Sequence, residues 1–200
     1  MRRFLIIILL LLLIPWLGHG QKSSMFIVDS IPIYNQPNTK LNNLKKENVY
    51  SIQIIANSDS LRQMGYSQVD TAIFIITNAY INRPESIRKI PSVNQMELKN
   101  NQWFLMNEDS AYTGPFINYY LSGDKLGEGQ FKNGKLDGKR TMYFENGKVK
   151  LIRQYVDGFE NGLDQEYFED GTLKQTGNFI TGKEDGKWER PKLARAFDAL

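Results

Sequence analysis

The chain has 200 residues, with 25 Lys and Arg against 22 Asp and Glu, one histidine and no cysteine, for a formal net charge of +3. Disulfides, cysteine nucleophiles and cysteine-ligated metal sites are therefore excluded, and the near-neutral balance lacks the basic footprint that nucleic-acid binding requires. A chain of this length can bury a core without staples.

Two arginines followed by an uninterrupted apolar run from Phe4 to Ile14, then Pro15 and the small residues Gly18 and Gly20, read as a secretory signal over 1–20. Phe4 to Leu17 is shorter than the roughly 20 residues a span needs, so export with cleavage is the expectation and an N-terminal membrane anchor the alternative. Cleavage would remove His19, the only histidine, and with it Ser-His-Asp chemistry and His-ligated zinc.

Residues 22–80 are rich in Ile, Asn and Ser and predict a small β-α-β-α-β module. "MFIVDSIPIY" reads as one strand whose regular part Pro32 closes. "LNNLKKEN" reads as a helix with Leu41 and Leu44 inward, "VYSIQIIA" as a strand, and "SDSLRQMG" as a helix capped by Ser58 or Asp59 and stopped at Gly65. "TAIFIIT" over 71–77 has the length of a buried strand. Residues 81–111 read as a linker with a short helical turn, then a lead-in strand around Trp103.

From residue 112 the chain repeats itself every 24 residues without insertion or deletion. Tyr119, Tyr143 and Tyr167 form one column; Gly123, Gly147 and Gly171 a second; Gly134, Gly158 and Gly182 a third; Gly114, Gly138, Gly162 and Gly186 a fourth. Phe131, Tyr155 and Phe179 form an aromatic column. Ser122-Gly123, Asn146-Gly147 and Asp170-Gly171 lie between apolar and aromatic runs, which predicts type I′ hairpin turns. The segments Gly134–Gly138, Gly158–Gly162 and Gly182–Gly186 then join one hairpin to the next. Glycines interrupt every helical alternative before it reaches a stable length. The expectation is an antiparallel hairpin meander of three units over 112–189, with the tyrosine and phenylalanine columns as cross-strand ladders, giving an α+β chain overall. The register lapses at Pro191 and Arg195, and 190–200 read as a capping helix with Leu193, Phe197 and Leu200 on one face, or as an unstructured tail.

The run Tyr-Phe-Glu-Asn-Gly-Lys at 143–148, followed by Tyr155-Val156-Asp157-Gly158 and Asn161-Gly162, resembles the variant MORN repeat of bacterial proteins, and the likeness extends over 112–189. The resemblance carries over no catalytic residues, and some proteins with such repeats are grouped as antitoxin-like; no cofactor and no metal are expected of the chain. A second likeness covers about 26–78. Val28-Asp29-Ser30-Ile31-Pro32, Asn48 to Ile54, Gly65-Tyr66 and Ala72 to Thr77 are similar to the plug domain of TonB-dependent outer-membrane receptors. Ser30 stands where that family has Gly, and Gly65-Tyr66 inverts its Tyr-Gly order. The chain has no room for the receptor barrel, so the resemblance implies a docking or binding module rather than transport.

Catalysis would have to rest on carboxylates: Glu166, Glu169 and Asp170, or Asp157, Glu160 and Asp164. These fall at turns and strand ends, where acids serve the local backbone, and Lys148, Lys150, Arg153 and Lys174 read as an outer polar face. The expected function is therefore a non-enzymatic exported scaffold for a protein or glycan partner in the cell envelope, periplasmic or outer-envelope associated, without membrane insertion after cleavage. An antitoxin-like or immunity protein acting by direct binding is the alternative, and a carboxylate-dependent glycan hydrolase a third reading.

Overall fold

The computed structural model describes residues 23–33 and 44–191. The expected signal segment, Leu41 of the first expected helix and the tail from 192 onward lie outside the described residues. The described chain is mostly β, in contrast to the α+β balance expected, because most of the residues from 96 onward enter antiparallel strands.

The first sheet contains β1 (Ser24–Val28), β2 (Ile31–Ile33), β3 (Val49–Ile55) and β4 (Thr71–Thr77), in the order β2-β1-β4-β3. β1 runs parallel to β4, and the other two pairings are antiparallel. The stretch expected as one strand is a hairpin, bent at Asp29 and Ser30, both at positive φ (52° and 68°). A distant contact holds this bend. The Asp29 carboxylate accepts hydrogen bonds from the Thr77 amide and from Thr77 Oγ1, both at 2.7 Å. Two side-chain-satisfied bonds at a buried acid offset the strain of two left-handed residues. Pro32 sits within β2, opposite Ile27. The described part of the first expected helix is a 3-10 turn at Lys46–Asn48.

Helix α1 (Ser58–Gln63) is capped by Asn57, one residue earlier than expected; Asn57 Oδ1 accepts the Ser60 amide at 2.8 Å. Gly65, at φ +84°, follows its end. Leu61 of α1 is buried with Met25, Ile27 and Ala72, which makes the module's core. After β4 come two one-turn helices, α2 (Asn78–Ile81) and α3 (Glu85–Arg88); α3 is the short helical turn expected in the linker, and α2 was not expected.

A second hairpin, β5 (Met96–Lys99) and β6 (Gln102–Leu105), turns at Asn100-Asn101, both at positive φ. Sequence reading found only its second strand. The hairpin packs on the start of the large sheet, where Met96, Phe116 and Phe131 are buried beneath Trp103, Leu105, Tyr112 and Leu136.

The large sheet comprises β7 (Gly114–Tyr119), β8 (Lys125–Lys132), the short β9 (Lys135–Leu136), β10 (Gly138–Tyr143), β11 (Val149–Val156), β12 (Phe159–Tyr167), β13 (Leu173–Ile180) and β14 (Lys183–Glu189). Its order is β14-β13-β12-β11-β10-β8-β7, with β9 beside β8: an antiparallel meander.

The two sets of turns exchange the chemistry expected of them. Positive φ at two successive residues occurs at Asn133-Gly134, Asp157-Gly158 and Thr181-Gly182, each a two-residue loop between paired strand ends such as Val156 and Phe159. These are the type I′ turns. At Asn146-Gly147 only the glycine is left-handed (φ +78°). The Gly147 amide donates to the Phe144 carbonyl and the Phe144 amide to the Lys148 carbonyl. That pattern is a type I turn closed by a glycine bulge, and the ladder shifts register just before each such loop, at Asn118/Tyr119, Met142/Tyr143 and Glu166/Tyr167. The dipeptides were read correctly as bends and wrongly as type I′, because a hairpin can place a single left-handed glycine after the turn instead of inside it.

Candidate binding surface

Strand alternation divides the array into two faces. On one, the fourth glycine column lies directly opposite the aromatic column: Gly114 pairs with Phe131, Gly138 with Tyr155 and Gly162 with Phe179. Each ring thus has a neighbour without a side chain to pack across. The column tyrosines do not form the expected ladder among themselves. Tyr119, Tyr143 and Tyr167 sit on β7, β10 and β12, which are two strands apart, or about 9–10 Å at normal strand spacing. Tyr143 instead donates to Glu128 at 2.6 Å, and Tyr119 lies beneath the Arg83 guanidinium at 3.7 Å from its ring centroid. Burial, then the hydrogen bond to Glu128, pushes the Tyr143 hydroxyl up to about 12.

The same face carries an ion pair at its centre. Asp164 is completely buried on β12, and Arg153 Nε of β11 donates to its Oδ2, while Arg153 Nη1 reaches Glu160 at 3.4 Å. Burial works against the Arg153 charge, but the bond and attraction of Asp164 outweigh it and raise its pKa. Arg153 is therefore an internal partner and does not belong to the outer polar face expected of it. Phe116, Arg140, Asp164 and Trp188 are equivalent positions along the 24-residue spacing, and the ring of Phe116 or Trp188 lies against the bare backbone of Gly129 or Gly177. Arg153 stands one unit before Gly177 and Asp164 one unit before Trp188, so an ion pair occupies the contact that the glycine and the indole make further along the array.

Three of the other acids are held locally. Glu166 bridges Lys174 at 3.1 Å, Asp157 bridges Lys135 at 3.0 Å, and Asp170 accepts from the Thr172 amide and hydroxyl. The Thr172 bonds lower the Asp170 pKa. The Glu169 carbonyl accepts Asn146 Nδ2 and the Asp170 carbonyl accepts Lys148 Nζ, so the Asn146-Gly147 turn is tied to the Asp170-Gly171 turn. Among the described residues no group of three His, Asp or Glu side chains converges to hold a metal ion. A shallow depression between successive turns is lined by Asp124, Lys125, Tyr143, Glu145, Asn146 and Gly147.

The opposite face is unlike this. Val156, Phe159, Leu163 and Ile180 alternate onto it from β11, β12 and β13, with exposures from 37 % at Leu163 to 56 % at Ile180. Val156 pairs directly with Phe159 across the Asp157-Gly158 turn. In the neighbouring units the positions equivalent to Val156, Phe159 and Leu163 include Lys132, Lys135, Lys139, Lys183 and Lys187. The middle of the array therefore presents an apolar patch framed by lysines, and no other element is stacked on it among the described residues. Alternation in the sequence places these four residues on one face. What sequence reading could not supply is that the face stays uncovered.

Repetition of a hairpin with fixed turns, packed into one sheet, defines the class: a β-meander repeat array with two exposed faces of different character. The MORN repeat variant model matches residues 136–157 and 160–180, so β10 to β13 are similar to that repeat. Each match covers one hairpin around a bulged turn. The matched span is narrower than 112–189 and comprises two units. No curated protein matches the chain.

Proposed function

We propose that this protein is an exported, non-enzymatic scaffold that binds a protein or glycan partner in the cell envelope through the lysine-framed apolar patch on its MORN repeats. The observation that carries the reading is the patch itself. Four large apolar side chains left about half exposed on one rigid sheet face are what monomeric surfaces avoid unless they bind something. An aromatic at its centre, Phe159, flanked by aliphatics and ringed by cations, fits a partner that offers apolar groups surrounded by acids. Asp157, Glu160, Asp164, Glu166 and Asp170 are engaged in neighbouring ion pairs and turn bonds, which supports a non-enzymatic role. The apolar leader after two arginines supports export, and the plug-like pattern of residues 26–78 supports a docking role for the N-terminal module.

The test is capture of envelope components by the protein and by its Phe159→Glu/Ile180→Glu variant. Both side chains are exposed, so the variant should melt with wild type, as surface substitutions cost within about 0.5 kcal/mol. Loss of a specific partner at unchanged melting supports the reading. Equal capture by the two proteins rejects the patch as the binding surface.

A further inference from the structure

Successive bulged turns are joined differently along the array, and the difference leaves a slot suited to an amine. Between the second turn and the third, the side chain of Lys148 fills the join. Its ammonium donates to the Asp170 carbonyl at 2.8 Å, and its stem lies over Gly171, where an added Cβ would be 3.7 Å from Lys148 Cδ. One unit earlier, Asp124 stands for Lys148, Asn146 for Asp170 and Gly147 for Gly171. The Asp124 carboxylate has no hydrogen to offer the Asn146 carbonyl; its Oδ2 accepts the Ser122 hydroxyl at 2.9 Å. A Cβ at Gly147 would meet nothing within 4 Å, so the ground that a lysine stem covers at Gly171 is open here. The shallow depression lined by Asp124, Tyr143, Glu145 and Asn146 is that ground.

We propose that this depression binds an alkylammonium group, the chemistry of a lysine side chain or of a small aliphatic amine. The nitrogen sits at the Asn146 carbonyl, as Lys148 Nζ sits at that of Asp170, with the Asp124 carboxylate in the same lining, and the carbon chain crosses Gly147. An ammonium supplies the donors that a carbonyl and a carboxylate both lack. Lys125, the cation of the lining, is engaged elsewhere: its Nζ bridges Glu128 at 2.8 Å and lies 5.6 Å from the centroid of the Tyr143 ring. A metal ion is a poorer match, because among the described residues no three acids converge to hold one. Binding at so exposed a site is weak and sensitive to salt. The slot lies at the bulged turns, whereas the lysine-framed patch flanks the type I′ turns at the opposite strand ends, so the two readings stand or fall separately.

The test follows the Asn146 and Gly147 amide signals by NMR in the protein as its producing cells deliver it, titrated with N-acetyl-lysine amide and with cadaverine. Tetramethylammonium, which carries the charge without an N–H, and Mg²⁺ are the controls at equal ionic strength. Saturating shifts are expected with an amine, and the tighter of the two identifies the source as a protein side chain or a free amine. Asp124→Lys copies the next unit's side chain into the slot, so it should melt no lower than wild type and bind amine at least about fivefold more weakly, the worth of one exposed charged contact. Lys148→Asp should open a second slot, with amine-dependent shifts appearing at Asp170 and Gly171. Equal shifts with tetramethylammonium, tighter saturation by Mg²⁺, or unchanged binding by Asp124→Lys would each overturn the proposal. So would the absence of saturation by both amines, or of new shifts in Lys148→Asp.

Discussion

Gly123 and Gly147 are equivalent positions of the repeat, and replacing each by alanine separates the cost of the turn from the cost of the junction between module and array. Both are left-handed, at φ +91° and +78°, so each alanine carries the strain of that conformation, about 1–2 kcal/mol. At Gly147 a Cβ meets nothing within 4 Å. At Gly123 it would lie 2.6 Å from Ala79 Cβ and 2.6 Å from Thr77 Oγ1, at the end of β4. Real carbon contacts do not close to that distance, so the turn must move off the module. Movement also stretches the 2.9 Å bond from Arg83 to the Gly123 carbonyl, and Arg83 is the side chain stacked on Tyr119 and facing Asp29 at 4.0 Å. Forcing a methyl into a filled contact costs about 1–3 kcal/mol beyond the strain. Gly123→Ala should therefore lose about 2–5 kcal/mol and Gly147→Ala about 1–2 kcal/mol. Urea unfolding followed by tryptophan fluorescence gives both values, with unchanged slopes expected if each variant still unfolds as one unit. If the two variants agree within about 0.5 kcal/mol, the turn at Gly123 does not dock on β4 and the argument fails.

Two further outcomes follow from the array itself. Asp164→Ala strands the half-buried Arg153 and should cost about 2–4 kcal/mol, whereas Asp164→Leu combined with Arg153→Met should recover most of that loss in the same unfolding assay, because the burial penalty on the charge disappears with it. Tyr143→Phe should flatten the alkaline end of the stability profile. The folded hydroxyl holds its proton to about 12 while the unfolded one releases it near 10, so the native state binds more protons in that window and wild-type stability falls as pH rises through it. Stability curves of wild type and Tyr143→Phe that stay parallel from pH 9 to 12 would show that this hydroxyl is not held by Glu128.

Bends were the most legible feature of this chain. A glycine that must take positive φ marks its own position, so its recurrence every 24 residues exposed the hairpins directly, as did the strand at 71–77 with its run of β-branched residues. Turn type was less legible. Asn146-Gly147 and Asn133-Gly134 look alike as dipeptides, yet only the second has two left-handed residues, because the choice depends on where the ladder carries its bulge. The tyrosine column misled for a related reason: equal spacing along the chain became a two-strand separation in the sheet, beyond the reach of ring pairing.

Local conformational preference is written residue by residue, and by itself the sequence determined where the array bends, which residues alternate on each strand, and that cysteine chemistry is absent. Contacts between residues distant in the chain depend on how whole elements settle against each other. Only the tertiary structure decided that Asp29 holds its bend through Thr77, 48 residues away, and that Arg153 turns inward to Asp164. It also decided that β3 is left at an edge, and that the β5–β6 hairpin covers the start of the array while Phe159 and its neighbours on the other face remain in water.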